Sequence, residues 1–296
     1  MEKLKAYLLD LQERLMDQGE DKLDGIGLPR LLKNYAKRWA KGKYRMLNSV
    51  FREDYEPLIS VVIPACNEEE YIADTIKSVL SQGYRNLEVI VVDNGSDDGT
   101  AEAVRKASDH RVQIYQLGER GISRARNYGA SMATGEIIAF LDSGTRMGYN
   151  TLDQIATSYL KGSDGGSGWI SLDSYNADAS AWSNTAALAS AISSVGPVIA
   201  SPGAFQYISR AGWERVRRRY GGFDESLKSG EDTDFRRKMG EMGAIDYLAF
   251  SGVKESDRRF RKEGVGPSIK RSVKSLLGQT LIPGLDPRKE EYALAT

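Results

Sequence analysis

Between residues 58 and 142, strand-length apolar runs alternate with amphipathic helical stretches, and few folds can satisfy that alternation. "LISVVIPA" (58–65) and "LEVIVVD" (87–93) are strongly apolar and β-branched, and "VQIYQL" (112–117) and "EIIAFLD" (136–142) follow as a third and a fourth strand. Between them, "NEEEYIADTIKSVLSQ" carries acids in its first turn and apolar residues at 72, 76, 79 and 80, the pattern of an amphipathic helix. "AEAVRKAS" and "GISRARNYGASMAT" supply two more helices. Strands that are apolar throughout have no solvent face, so the expected fold is α/β, with a mostly parallel sheet flanked by helices on both faces. Open sheets of this kind bind ligands outside the carboxyl ends of their strands. Three polar clusters should meet there: "PACNEE" (64–69), "DNGSDDGT" (93–100) and "DSGT" (142–145).

The composition removes several chemistries. Acids and bases balance at 41 each in 296 residues, so no overall field points to a nucleic-acid partner. One histidine and one cysteine make an imidazole–thiolate zinc site or a Ser-His-Asp triad untenable and leave catalysis to carboxylates, hydroxyls or bound ions. The lone Cys66 also suits a reducing compartment, and no run is long and apolar enough to span a membrane. The N-terminus is charged throughout and lacks a signal-peptide core. These features give a cytoplasmic expectation, at or near the membrane face.

Neither G-x-x-x-x-G-K-[ST] nor an early G-x-G-x-x-G is present, so any nucleotide would be held by other means. Glycine, serine and asparagine at strand ends let backbone approach a ligand, and a strand-terminal acid such as Asp142 can accept ribose hydroxyls or hold a hard cation beside a diphosphate. "GGFDESLKSGEDTDFRRKMGEMG" (221–243) places Glu231 and Asp232 at the expected start of a helix with Phe235 and Met239 on its apolar side. That acid pair either complements the helix dipole or supplies a general base over a cleft.

The segments 60–100, 121–145 and 221–243 together resemble the family 2 glycosyltransferases of GT-A fold, in order and spacing, over roughly residues 58–250. The resemblance implies inverting transfer of a sugar from a nucleotide-diphosphate donor to an acceptor hydroxyl of a glycan or lipid-linked substrate. It implies a donor site formed by Pro64, Ala65, Cys66, Asn67, Glu68, Asp93, Asn94, Arg126, Asp142, Ser143 and Gly144. Asp232 would be the catalytic base, with Glu231 facing the acceptor. It divides the chain into a helical extension (1–54), the GT-A domain (55–265) and a C-terminal basic helix and tail (266–296).

The sequence departs from the family where Asp-x-Asp is usual: here it reads Asp142-Ser143-Gly144, so the second carboxylate is missing. Either a divalent cation, Mn²⁺ or Mg²⁺, persists on Asp142 and the donor's phosphates, or side-chain cations such as Arg146, Arg258 and Arg259 stabilise the leaving diphosphate. The departure also keeps open a catalytically silent protein that binds a nucleotide, glycan or protein partner. On the acceptor side, "GSDGGSGW" (162–169) reads as a loop leading to a strand, 197–216 as a pair of strands carrying Trp213, and Trp169, Trp182 and Trp213 as residues able to stack on sugars or to pack. From Arg30 to Arg52 there are eight Lys or Arg and no acid, which suits either a helix docked on the domain or a peripheral contact with an anionic membrane.

Overall fold

A computed structural model describes residues 42, 55–174, 180–181, 203–227, 229–268 and 270. The expected helices of the extension, Trp182, the small-residue helix that follows it and most of the C-terminal tail lie outside these residues. The first strand, β1 (Ile59–Ala65), is buried along its whole length. It is followed by α1 (Ile72–Leu80), β2 (Leu87–Asn94), α2 (Thr100–Ala107), β3 (Val112–Leu117), α3 (Ile122–Met132) and β4 (Ile137–Leu141). A short β5 (Thr145–Arg146), α4 (Thr151–Leu160), β6 (Gly165–Asp173), β7 (Phe205–Ser209), α5 (Arg210–Tyr220), α6 (Glu231–Met242), β8 (Ile245–Ser256) and α7 (Arg258–Glu263) complete the elements.

The strands form one sheet in the order β3-β2-β1-β4-β7-β6-β8-β5. The first four are mutually parallel, while β7 runs antiparallel to both β4 and β6. The chain leaves β1 toward β2 and β3, then returns to place β4 on the other side. That reversal makes the carboxyl ends of β1 and β4 the switch point where a crevice opens. Alternation along the strands divides the core. Val61 and Ile63 pack with Ile72, Ile76, Val104 and Leu152 on one face, and Val62 packs with Ala125, Trp213, Val216 and Phe235 on the other.

Two expectations on the acceptor side need correction. The glycine-rich stretch 162–169 is largely strand, because Gly165, Gly166 and Gly168 lie in β6. A Cβ on Gly166 would fall 2.2 Å from the Asp246 carbonyl, and one on Gly165 would fall 2.6 Å from that of Tyr207. Neighbouring backbone fills the space a side chain would need, so the glycines mark close approach within the sheet. Trp213 lies on α5, not on a second strand. It is buried among Phe140, Phe223 and Phe235, which makes it core and removes it from sugar stacking.

Candidate active site

The three polar clusters meet at the strand ends. Asn67 adopts a left-handed conformation (φ 55°), its backbone N–H donates to Ser96 Oγ at 3.0 Å, and its Oδ1 accepts from Asp97 N at 2.8 Å. Glu68 N donates to Thr100 Oγ1 at 2.8 Å, and Glu69 Oε2 accepts from Gly99 N at 2.8 Å. These bonds fasten the turn after β1 to the turn after β2. Asp93 and Asn94 are buried and already occupied. Asp93 accepts from Ser96 N and Gln116 Nε2, and Asn94 Oδ1 accepts from Gly121 N at 2.9 Å, fixing the entry to α3. Cys66 is partly exposed, and burial pushes its thiol above the ordinary value, so it stays protonated. Pro64 and Ala65 are buried at the end of β1.

Arg126 is the hinge of the site. It sits on the sheet-facing side of α3, is 2% exposed, and donates to Asp142 Oδ1 at 2.8 Å and to Glu231 Oε1 at 2.9 Å. Burial opposes its charge, yet Asp142 and Glu231 hold the guanidinium pKa above its usual value. One planar fork thereby joins the end of β4 to the start of α6, a geometry lysine cannot supply. Gly230, left-handed at φ 75°, turns the chain into α6 and brings Glu231 and Asp232 to its first turn.

Asp232 is partly buried, with Oδ1 accepting from Thr233 N at 2.8 Å and its carbonyl accepting from Gln206 Nε2 at 2.9 Å. Burial and the adjacent Glu231 push its carboxyl up to about 7, against the pull of Arg126. Two carboxylates therefore bond one guanidinium, and a third, Asp232, feels its charge and holds its proton near neutrality.

On the other side of Asp142, Ser143 is buried and Gly144 is backed by Arg258. A Cβ at Gly144 would lie 3.6 Å from Arg258 Cζ, 3.7 Å from one terminal nitrogen and 3.8 Å from Nε, so the glycine faces the flat of the guanidinium. Arg258 grips both oxygens of the buried Glu68, one at 2.5 Å, and lies over the Tyr71 ring at 5.2 Å. An open cavity of ≈ 640 Å³ adjoins it, lined by Tyr71, Arg258, Arg261, Lys262 and Glu263.

Of the predicted residues, Arg126, Asp142, Glu231 and Asp232 gather into one charge cluster and Glu68 and Arg258 into another, on either side of 142–144. Arg146 belongs to neither, since its guanidinium pairs with Asp173 and approaches Asp74 at 4.0 Å. Arg259 lies in α7. Sequence reasoning missed Gly203, whose Cβ would collide with Asp232 Oδ2, and Tyr71 under Arg258. An aromatic directly after "NEEE" was the available signal for Tyr71; nothing local marks Gly203.

Fold and strand-end site define a GT-A-type α/β domain. The mannosyltransferase PcManGT of Pyrobaculum calidifontis, solved with GDP-Man and Mn²⁺, superposes with a TM-score of 0.53 at 22% identity, covering 76% of this chain and 66% of that one. Residues 60–182 match the model for glycosyl transferase family 2. The Bacillus subtilis protein named as a teichuronic acid biosynthesis glycosyltransferase, TuaG, is 40% identical over 93 residues, 30% of this chain and 37% of that protein. The Escherichia coli UDP-Glc:alpha-D-GlcNAc-diphosphoundecaprenol beta-1,3-glucosyltransferase WfgD is 37% identical over 110 residues, 37% of this chain and 43% of its own length. The likeness to family 2 glycosyltransferases thus falls on residues 60–182, and the chain spans less than half the length of these curated relatives.

Proposed function

We propose that the protein is an inverting glycosyltransferase that uses Asp232 as general base. The observation that carries this reading is the carboxyl of Asp232 in the first turn of α6, raised to about 7 by burial and the adjacent Glu231, with Oδ1 accepting from Thr233 N. A base with that affinity takes a proton efficiently at neutral pH. The acceptor O–H gives its proton to the Asp232 carboxylate while its oxygen bonds the anomeric carbon. The bond from that carbon to the diphosphate breaks, and its electron pair departs with the nucleoside diphosphate. Glu231, held by Arg126, orients the acceptor. The nucleotide is received by Pro64–Glu68, Asp93 and Asn94, and Asp142 sits by its ribose and diphosphate.

A sugar-bearing glycan or lipid-linked acceptor fits this reading. The diphosphoundecaprenol-linked acceptor in the name of WfgD supports the lipid-linked form. Among the described residues no helix is long and apolar enough to cross a membrane, so approach to a lipid would be peripheral. The test is release of nucleoside diphosphate from a panel of nucleotide sugars, with lipid-linked and soluble acceptors, by wild type and Asp232→Asn. Turnover that disappears in the variant supports the reading. Nucleotide binding without turnover in either protein would favour the silent binding protein, which the missing carboxylate at position 144 favours.

A further inference from the structure

The divalent cation that the fold family implies does not fit the residues presented at the end of β4. The protein could offer it only Asp142, and Oδ1 of that carboxylate already takes Arg126. Residue 144 contributes no side chain, and chain geometry keeps it within about 7 Å of residue 142. What stands at residue 144 is the guanidinium of Arg258. A divalent ion on Asp142 would therefore sit between two fixed cations, and among the described residues no group of three or more His, Cys, Asp or Glu converges to hold one.

We propose that Arg258 replaces the metal: its guanidinium, positioned beside Gly144 by Glu68 and Tyr71, binds the donor's diphosphate directly, so that donor binding needs no divalent cation. The inference rests on the transferase reading above. Glu68 engages one hydrogen on each terminal nitrogen of Arg258, which leaves about three of the five guanidinium donors for phosphate oxygens. The bidentate grip and the Tyr71 ring hold the fork before any ligand arrives, and preorganised charge is what a leaving diphosphate requires. Gly144 exposes the flat of that group; a carboxylate there would pair with Arg258 and repel the diphosphate. The adjoining cavity carries Lys262 and an Arg261 already paired with Asp257, against one acid, Glu263, which leaves Arg258 as the principal cation for the diphosphate.

Calorimetric titration of the full chain, stripped with EDTA, against UDP, GDP, CDP, ADP and dTDP tests this, with and without excess Mn²⁺. The expected result is one nucleoside diphosphate that binds equally in both buffers. Arg258→Ala should weaken it about tenfold or more, while the matching nucleoside, followed by NMR titration, binds as to wild type; a general loss of fold would move both. Arg258→Lys keeps the charge without the fork and should fall between. Gly144→Asp, whose Cβ has ordinary contact room, should weaken binding in EDTA and recover it with Mn²⁺. Binding by wild type only with Mn²⁺, or unaltered binding by Arg258→Ala in EDTA, overturns the inference and leaves the transferase reading standing. No binding of any nucleoside diphosphate in either buffer removes both.

Discussion

Asp232 pairs a strained electrostatic position with a defined geometric one. A carboxyl held above its unfolded value binds more protons in the folded than in the unfolded protein between about pH 4 and pH 7, so it lowers stability as pH rises through that window. Asp232→Asn should therefore be more stable than wild type by on the order of 4 kcal/mol near pH 8, with urea midpoints converging toward pH 4. The same substitution should lower transfer by about 10²–10⁴, and wild-type kcat/KM should rise with pH to a plateau near neutrality whose inflection belongs to the Glu231–Asp232 pair. An unchanged pH profile in Asp232→Asn would assign the base elsewhere. Gly203 tests position separately from ionisation. An alanine Cβ there would lie 1.7 Å from Asp232 Oδ2, so the carboxylate must move. Gly203→Ala should cost about 10²-fold in turnover, the scale of an ångström-sized misplacement, while its melting temperature stays close to wild type. Of this site, the acids were legible in sequence, because Glu231-Asp232 follows a glycine and starts an apolar i, i+4 pattern. The Arg126 fork was not: its partners lie 16 and 105 residues away, and only the crossover of α3 brings them together.

At the scale of elements, α3 owes its position over β1 and β2 to a single missing side chain. A Cβ on Gly129 would fall 2.4 Å from Val62 Cγ1 and 3.1 Å from Val92 Cγ2, both in the core of the sheet. Gly129→Ala should destabilise the protein by about 1–3 kcal/mol, read as a lower urea midpoint. It should also reduce donor binding, since the same helix carries Arg126; a neutral result would mean that α3 can lift without disturbing the site. The elements of the parallel half could be read directly, because β1 and β2 are buried on both faces and their sequences say so continuously. The antiparallel half could not. In β6, glycines that sit flat against neighbouring strands have the composition of a loop, and only the sheet reveals that backbone fills the missing volume. Trp213 misled for a related reason: β7 passes into α5 without a turn residue, Ser209 being both the last strand residue and the cap that accepts from Gly212 N.

For the whole molecule, balanced charge conceals a segregation. The 41 bases and 41 acids cancel, yet residues 30–52 hold eight bases and no acid. Gly42, the described residue of that segment, is buried, and a Cβ there would lie 2.7 Å from the Lys161 carbonyl at the end of α4. The chain therefore touches the α/β domain at Gly42, and the bases that flank this residue in sequence could attract an anionic bilayer. Each Lys or Arg near such a surface contributes about 1 kcal/mol, attenuated within a Debye length. The full chain should co-sediment with phosphatidylglycerol vesicles at low ionic strength, release as salt rises, and ignore phosphatidylcholine vesicles. Replacing Lys33, Lys37, Arg38 and Lys41 together with glutamine should abolish sedimentation while turnover of a soluble acceptor persists. Sedimentation that survives both salt and the substitutions would place the membrane contact elsewhere on the domain. Absence of sedimentation at every ionic strength would assign no membrane role to the bases of residues 30–52.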